Sequence, residues 1–452
     1  IAAALHDISD RGLVTPLREV MNGMEVAEVS VEALISAVRE GAILIDVRTA
    51  SEYARGHVPG AINLPLFDDQ KRGNLLIAFA KQNRAAAFAM ARRVIRPDIE
   101  RFLSKVAAMI DGRMQLKYSC GSVSNVSFVV YLYCWHGGMR SSTLAWFLRQ
   151  SALPGLLDCR VLRDGYRAFR RFVSSRWSSL AQEKVKRGPE AEARRIHYET
   201  EPSVESPQIC IVGGRTGVGK TRVLHALRDA GEQVIDLEGV ARHRGSVFGW
   251  VGRSSIQPTS EHFANLAVCQ WTAKKPRWVF VEDEGPHVGK CSVHPGLFQL
   301  MRHSPLVINI VAEKKLRLHV LLEDYASIGQ HTDDKWSRTM FESVGKLHRR
   351  LGRDQTEALQ FLLDSRDYAA VANGLLQYYD NMYDMHLGKL RATGRLSRTV
   401  ITDPRPRQGK IIEVNAFPIA RQCEKPVTIQ PGSLDIHRLT KDVLAVATAF
   451  AS

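Results

Sequence analysis

Residues 209–221 read ICIVGGRTGVGKT, an apolar run followed by a glycine-rich stretch that ends in Lys220 and Thr221. The run is typical of a buried strand, and the RVLHALRDA that follows carries apolar residues at helical spacing. Between them, residues 214–221 match the pattern G-x-x-x-x-G-K-[ST] of a phosphate-binding loop, or P-loop. This strand–loop–helix order predicts an α/β domain whose loop binds a phosphate group.

The residue types in the P-loop predict what each position does. Gly214, Gly217 and Gly219 let backbone N–H groups wrap a phosphate chain, because glycine has no Cβ to block a close approach. Lys220 reaches the terminal phosphates, and Thr221 can hold a metal ion such as Mg²⁺. The sequence leaves open whether the ligand is a nucleotide, with or without Mg²⁺, or another phosphate-bearing small molecule.

Further strand-like segments follow the P-loop. EQVIDLEG, RWVFVEDE and LVINIVAE alternate with helical patterns, which is typical of an α/β domain with a largely parallel sheet. RWVFVEDE ends with Asp283 and Glu284. These carboxylates are either the acidic partners of the P-loop or the solvated end of a strand.

A second chemical site is predicted in the first half of the chain. The run FVVYLY, residues 128–133, reads as a buried strand, and Cys134 follows it on a short loop before a helical pattern. The N-terminus of a helix stabilises an anion, and Gly137, Gly138 and Arg140 would add backbone N–H groups and a fixed positive charge. A functional thiolate is therefore predicted at Cys134, the alternative being a buried structural cysteine beside a glycine turn.

Bulk composition limits the class of protein. A chain of 452 residues predicts two or three domains, and 62 Lys and Arg against 47 Asp and Glu favour a polyanionic partner such as RNA. Seven cysteines without a C-x-x-C pair indicate neither a disulfide framework nor a zinc site, which favours a reducing compartment, cytoplasm or organelle. No apolar stretch approaches the roughly 20 residues of a membrane span, so we expect a soluble protein. Because the first residue is Ile1, we expect an incomplete N-terminus.

Changes in composition divide the chain into five parts. A stretch rich in Ser, Pro and charge separates the two strand-and-helix regions. We predict an N-terminal extension (1–30), a first α/β domain (31–173), a linker (174–207), a P-loop domain with a helical, basic C-terminal part (208–395) and a tail to which no structure is assigned (396–452).

The first region resembles a rhodanese domain. The resemblance lies in LIDVRTASEYARGHVPGAINLP (44–65), the Cys134 loop and LRDGYRAFRRF (162–172). It implies a parallel-sheet domain whose loop cysteine carries sulfur or selenium as a persulfide or perselenide.

Five motifs follow one another in the order YCWHGGMRS, GGRTGVGKT, DLEGVARHRGSVFG, QPTSEHFANL and YYDNMYD. This set is similar to the tRNA 2-selenouridine synthase family, over about residues 43–389. The resemblance implies that sulfur of 2-thiouridine at the wobble position of tRNA is replaced by selenium from selenophosphate. An S-geranyl intermediate, made from geranyl diphosphate, would precede that exchange. Cys134 would be the chalcogen-handling nucleophile with Arg140 stabilising its anion, and the P-loop would bind a phosphate-bearing co-substrate.

Recognition of tRNA should depend on basic segments and on aromatic side chains. GKLHRRLGRD (345–354) and GKLRATGRLSR (388–398) can contact phosphates, although either is equally explained as a solvated basic face. A base splayed out of the anticodon loop would stack on an aromatic ring. Tyr378, Tyr379 and Tyr383 are the candidates, the alternative being that they belong to the core.

Three other interpretations remain open. Cys134 to Arg140 also fits the C-x-x-x-x-x-R loop of a cysteine-dependent phosphatase, but Tyr133 stands where such enzymes typically have histidine. Without selenophosphate, the enzyme would act only as a geranyltransferase. A non-catalytic RNA-binding protein is suggested by His136 and by residues 285–287, which differ from the usual family pattern. The sequence does not determine the oligomeric state.

Overall fold

The structure is a computed structural model that divides into two compact units, residues 1–175 and 176–452. Each unit is treated by itself. The residues described are 26–71, 84–119, 127–151, 153–186, 208–250, 256–271, 277–326, 334–389, 398–400, 410–415 and 435–451.

The first unit is an α/β domain built on one parallel sheet. Its sheet has five strands in the order β1-β5-β4-β2-β3. In chain order the elements are β1 (Glu28–Val29), α1 (Val31–Arg39), β2 (Ile43–Asp46), α2 (Ala50–Arg55), β3 (Ile62–Asn63), α3 (Arg84–Ser119), β4 (Phe128–Tyr133), α4 (Met139–Gln150), β5 (Leu156–Leu162) and α5 (Gly165–Lys186). The residues of α5 from Arg176 onward belong to the second unit.

Strand β4 lies at the centre of this sheet and delivers Cys134 at its carboxyl end. It pairs in parallel with β2 on one side and β5 on the other. Val130 and Leu132 are completely buried and belong to a cluster that includes Val106 of α3 and Leu148 of α4. Burial on both faces explains why FVVYLY is a continuous apolar run rather than an alternating one.

The second unit contains a parallel sheet of six strands in the order β12-β13-β11-β6-β8-β7. Its elements are β6 (Gln208–Gly214), α6 (Lys220–Asp229), β7 (Gln233–Ile235), α7 (Leu237–Ala241), α8 (Ser260–Gln270), β8 (Trp278–Glu282), β9 (His287–Val288), β10 (Cys291–Ser292), α9 (Pro295–Arg302), β11 (Leu306–Val311), α10 (Lys314–Leu321), a π-helical turn (Leu322–Ala326), α11 (Asp334–Gly345), α12 (His348–Leu351), α13 (Arg353–Asp364), α14 (Tyr368–Lys389), β12 (Arg398–Val400), β13 (Lys410–Asn415) and α15 (Ile436–Ala451).

Two apolar clusters hold the second unit together. One packs the central strands β6, β8 and β11 against α6 and α15, with Cys210, Phe280 and Ile308 completely buried. The other joins α11, α13 and α14 around Val344 and includes Phe248 from the segment after α7. The unit therefore consists of a P-loop sheet and a helical part that begins after β11.

The predicted fold class is confirmed. The apolar runs expected to be strands form β4 in one parallel sheet and β6, β7, β8 and β11 in the other, and helices follow β11 as expected.

The structure assigns elements in two further regions: the linker, for which partial helix was one expectation, and the tail, to which no structure was assigned. Helix α5 continues to Lys186, so the first part of the predicted linker is helical. In the tail, β13 pairs in parallel with β11, and the Trp278 indole N–H donates to the Ala447 carbonyl of α15 at 3.0 Å. The described parts of the tail therefore complete the second unit.

None of the described helices combines the length and the hydropathy that crossing a bilayer requires.

A close approach between two loops fixes the chain around Cys134. The Tyr166 amide donates to the Cys134 carbonyl at 2.8 Å, and Arg167 donates in the same way to Trp135. Gly165 has φ +59°, and a Cβ there would lie 2.3 Å from the Gly137 nitrogen. The turn between β5 and α5 thus depends on glycine at this position because no side-chain atom fits between the two backbones.

We expect Gly165→Ala to lower the free energy of unfolding of the first unit by about 2–4 kcal/mol, since it adds backbone strain to a steric clash. Gly138→Ala is the matched control, because φ is −102° there and a Cβ would meet nothing within 4 Å. Urea unfolding followed by near-ultraviolet circular dichroism compares the two variants. Equal midpoints would contradict the proposed importance of the close approach.

Candidate active sites: a cysteine loop and a phosphate-binding loop

The Cys134 thiol lies in a protected position at the start of its loop. The residue is 3% exposed. Its Sγ accepts a hydrogen bond from Ser141 Oγ at 3.3 Å, and the thiol donates to the Gly138 carbonyl at 3.8 Å. The Ser141 hydroxyl also lies 3.1 Å from that carbonyl oxygen. Ser141 is in the first turn of α4, so a hydroxyl donor and the positive end of a helix dipole lie beside the sulfur.

Ser141 is a site residue that the sequence analysis did not assign. The sequence signal for Ser141 was its position directly after Arg140 in the string CWHGGMRS. This position places it in the first turn of the helix that follows the cysteine loop, close to the cysteine.

Arg140 is held at the cysteine loop by a carboxylate from α2. Its Nη1 donates to Glu52 Oε2 at 3.0 Å. Glu52 also accepts from the Thr49 amide, while Thr49 Oγ1 accepts from the Glu52 amide, which forms a capping box at the start of α2. The ion pair orients the guanidinium and neutralises part of its charge. The other guanidinium N–H groups have no partner among the described residues, so they are available to an anion.

A buried ion pair lies beneath the aromatic residues that flank Cys134. Arg48 is 1% exposed and its Nη2 donates to Asp46 Oδ2 at 2.6 Å. Burial alone lowers the pKa of Arg48, but the hydrogen bonds and charge of Asp46 outweigh it and raise the pKa above its usual value. The guanidinium lies 3.8 Å from the centre of the Tyr166 ring and 5.8 Å from that of Trp135. Arg48 thus remains charged and supports the rings on both sides of the loop.

Tyr133 has a structural role. It is completely buried, and its hydroxyl oxygen accepts from the Val58 amide at 3.0 Å. Burial, followed by the charge of Asp46, raises its pKa well above the usual value. A buried, hydrogen-bonded tyrosine stands where the phosphatase interpretation needs histidine, and this weakens that interpretation.

The P-loop residues predicted from the sequence lie together between β6 and α6. Lys220 Nζ donates to the Gly214 carbonyl at 2.7 Å, and Thr221 Oγ1 donates to Glu238 Oε2 at 3.2 Å. Gly217 and Gly219 have φ of +83° and +85°. At both positions the left-handed backbone favours glycine.

Helix α14 contacts the P-loop through the motif YYDNMYD. The Gly214 amide donates to Tyr383 Oη at 2.6 Å, and this hydroxyl lies 3.1 Å from Asn309 Oδ1. Arg215 pairs with Asp384 at 2.6 Å, and the buried Arg317 pairs with Asp380 while donating to the Thr216 carbonyl. The loop is thereby held by contacts from α14 and from Arg317 of α10.

The structure places the three tyrosines proposed for base stacking in different surroundings. Tyr383 is half-buried at the P-loop. Tyr379 accepts from the Val247 amide at 3.3 Å, and Tyr378 accepts from exposed Arg350. Of the two basic segments, residues 345–354 lie in the structure, whereas 390–397 of the second lie outside the described residues.

The carboxylates after β8 are not the solvated end of a strand, so that alternative is wrong. Asp283 is buried and accepts from Arg302 Nη2 at 2.7 Å. The buried Glu282 accepts from the Glu238 amide at 2.6 Å. Burial, followed by the charge of Glu238, raises the pKa of half-buried Glu284 to about 8. A cluster of acidic side chains therefore faces Thr221 and Lys220. Glu238, which the sequence analysis did not assign, is central to this cluster.

Within the described ranges, no group of three or more His, Cys, Asp or Glu side chains is arranged to hold a metal ion.

A parallel-sheet domain with a loop cysteine, joined to a P-loop α/β domain, defines a two-site rhodanese and P-loop protein. The family model for a rhodanese-like domain matches residues 30–172, and the model for the tRNA 2-selenouridine synthase AAA domain matches residues 207–399.

Curated relatives cover most of the chain. A tRNA 2-selenouridine synthase of Pseudomonas putida is 31% identical over 369 residues, which span 75% of this chain and 86% of that protein. That of Hydrogenovibrio crunogenus is 30% identical, spanning 76% and 89%. That of Marinobacter nauticus is 29% identical, spanning 76% and 88%. The chain belongs to the tRNA 2-selenouridine synthase family.

The titration of Glu284 gives a prediction for stability. In the unfolded chain this carboxyl titrates near its ordinary value, so between about pH 5 and 8 the folded state binds more protons. Glu284 therefore makes the free energy of unfolding fall as pH rises through this window, by at most about 1.4 kcal/mol per pH unit. Glu284→Gln, which mimics the protonated form, should match the wild type near pH 5 and be more stable at pH 8.

Urea unfolding at pH 5, 6.5 and 8 measures this difference. Glu357→Gln is the control, because Glu357 pairs with Arg353 on the surface and its side chain is 60% exposed. Its difference from the wild type should not change in the same window. A constant difference between Glu284→Gln and the wild type would show that Glu284 titrates normally.

Proposed function

We propose that this protein replaces the sulfur of 2-thiouridine at the wobble position of tRNA with selenium. Membership of the family supports a tRNA-modifying transferase. The exchange of sulfur for selenium is supported by two features of one chain: a thiol that faces a helix N-terminus, and a P-loop with its lysine. That combination is the observation on which the proposal depends.

The proposed reaction has two steps with different requirements. In the first, the sulfur of 2-thiouridine attacks C1 of geranyl diphosphate, the C1–O bond breaks, and diphosphate and a proton leave. In the second, selenophosphate and water convert the S-geranyl base into 2-selenouridine, geranylthiol and phosphate. Alkylation is needed because a thiocarbonyl sulfur is a poor leaving group, whereas an alkylated sulfur leaves as a thiolate.

The two sites suit these two steps separately. Lys220 and the loop N–H groups are fixed positive and partial positive charges, which hold a diphosphate and stabilise it as it leaves. Cys134 has no phosphate-binding role, but its sulfur faces Ser141 and the start of α4, as a chalcogen-handling nucleophile requires. We therefore assign alkylation to the P-loop and selenium exchange to the cysteine loop. Arg140 would bind the anionic selenium donor while Glu52 orients it.

A divalent cation fits the P-loop. Thr221 Oγ1 and Glu238 Oε2 lie 3.2 Å apart beside Lys220, and both are oxygen donors of the kind that Mg²⁺ prefers. When bound, such an ion would neutralise part of the diphosphate charge. A nucleotide in place of geranyl diphosphate remains the other candidate ligand.

The tRNA-binding surface is proposed to include residues 345–354. Lys346 and Arg349 are exposed, and neither has an ion-pair partner among the described residues. Arg353, by contrast, pairs with Glu357 at 2.7 Å. Unpaired cations release counterions from tRNA on binding, whereas a cation already paired with a carboxylate contributes less.

The division of labour predicts opposite defects in two variants. Lys220→Ala should block geranylation of 2-thiouridine but still selenate tRNA that was geranylated beforehand, because its charge serves only the diphosphate. Cys134→Ser should geranylate normally and accumulate the geranylated base, since a hydroxyl cannot replace the thiolate. Mass spectrometry of nucleosides, with each variant given each tRNA substrate, measures both.

Circular dichroism should show that both variants keep the wild-type fold. If Cys134→Ser still forms 2-selenouridine, the cysteine assignment is wrong. If Lys220→Ala geranylates but fails to selenate, the P-loop belongs to the selenium donor.

The proposed RNA surface predicts a change in salt dependence. Lys346→Ala combined with Arg349→Ala should weaken tRNA binding and reduce the slope of log Kd against log salt by about 1–2, since each lost phosphate contact contributes about 0.7–0.9. Filter binding between 50 and 200 mM salt measures the slope. Arg353→Ala is the control and should change it by less. Equal slopes for the wild type and the double variant would exclude this surface.

A further inference from the structure

An apolar cleft in the second unit has no role in the chemistry described so far. It is open to solvent, and the empty space within it and at its mouth, solvent included, amounts to about 640 Å³. Its walls come from the P-loop, the segment after α7, the end of α10 with its π-helical turn, and helices α11, α13 and α14. Most of the lining is aliphatic or aromatic, with Phe248, Leu321, Trp336, Met340, Ala372 and Leu376 as representatives.

The cleft is continuous with the P-loop. Thr216, a P-loop residue, forms part of its wall. One residue further along the chain, a Cβ on Gly217 would lie 3.2 Å from Cγ of Leu321, another wall residue. The phosphate-binding loop and the apolar wall are therefore in direct contact. A ligand whose phosphates occupy the loop can enter the cleft with the remainder of its structure.

Helix α14 contributes to both parts of this combined site. Ala372, Leu376 and Tyr379 face the cleft at intervals of three and four residues, and Tyr383 extends the same stripe to the Gly214 amide. From Ala372 to Tyr383 the helix rises about 16 Å, at 1.5 Å per residue. The stripe is long enough for several five-carbon units in extended form, with the phosphate end at Tyr383.

Two of the tyrosine hydroxyls that line the cleft are already hydrogen-bonded within the protein. The Tyr379 hydroxyl accepts from the Val247 amide, and the Tyr325 hydroxyl is hydrogen-bonded with Ser246. Burial raises the pKa of both tyrosines, in agreement with surroundings that contain little water. A nucleobase needs donors and acceptors at its edge, whereas a hydrocarbon chain needs none. The lining therefore favours a hydrocarbon.

We propose that this cleft binds the hydrocarbon tail of an isoprenoid diphosphate whose diphosphate occupies the P-loop. Ala372 determines how long a tail can enter, because its methyl side chain leaves space in the cleft wall. C1 of the ligand, where the C–O bond breaks, then lies at the boundary between loop and cleft beside Thr216. The inference rests on the proposed function in so far as that function makes an isoprenoid diphosphate the alkyl donor.

Filling the cleft tests the proposal. Ala372→Trp should reduce the affinity for geranyl diphosphate by at least about tenfold, because the tail loses its apolar contacts. Affinity for inorganic diphosphate should stay within about twofold, since the P-loop is unchanged. Transfer of the five-carbon group from dimethylallyl diphosphate to 2-thiouridine tRNA should persist. Calorimetric titration measures the affinities, and nucleoside mass spectrometry measures the transfers.

Ala369→Trp is the matched control, with the same substitution on the same helix at an exposed position outside the cleft. Its affinities should equal those of the wild type. Should Ala372→Trp fail to bind even inorganic diphosphate, the smaller Ala372→Leu provides the comparison and should lower the affinity for geranyl diphosphate alone.

The outcomes separate this inference from the proposed function. If the wild type alkylates tRNA with geranyl diphosphate but the Ala372 variants retain wild-type affinity for it, the function stands and the cleft assignment is wrong. If the wild type binds geranyl diphosphate no better than inorganic diphosphate, the cleft holds no tail. If the wild type transfers no geranyl group although it binds the diphosphate more tightly than inorganic diphosphate, the proposed reaction fails and the cleft assignment stands.

Discussion

The turn from a parallel strand directly into a helix N-terminus is the constraint on which both sites depend. Such a turn leaves several backbone N–H groups without helical partners and gathers them at one end of the sheet. In the first unit the turn after β4 is tightened by the backbone contact of Gly137 with Gly165. In the second unit it is the P-loop, where Gly217 and Gly219 adopt left-handed backbone. Both turns therefore direct partial positive charge to one place, beside the Cys134 sulfur in the first unit and into the predicted phosphate-binding loop in the second.

Buried ion pairs position each turn. Arg48 with Asp46 lies beneath the rings beside Cys134, and the buried Arg317, paired with Asp380, donates to the Thr216 carbonyl of the P-loop. Pairs of this kind add little net stability, because removing charges from water costs about as much as their attraction returns. Such pairs fix positions instead. A buried charge that loses its partner is strongly unfavourable, so the two side chains must stay in contact.

Helix α14 contacts both the P-loop and the apolar cleft. Its final turns hold the P-loop through Tyr383, Asp380 and Asp384, and its first turns line the cleft. One helix thus sets the distance between the P-loop and the far part of the cleft. A P-loop alone would accept many phosphate compounds, so selectivity must come from what lies next to it.

The sequence alone determined the two α/β sheets, the cysteine loop and the P-loop, because these depend on local patterns: continuous apolar runs, glycines at turns and a fixed spacing to Lys220. It also indicated the family, through the order of its motifs. Only the tertiary structure brought Ser141 to the sulfur, Glu52 to Arg140, Glu238 to Thr221 and Tyr383 to Gly214. Except for Ser141, these partners are separated by 17 to 169 residues, and no local pattern specifies which distant side chains will meet. The cleft, built from segments of several elements, exists only after they pack together.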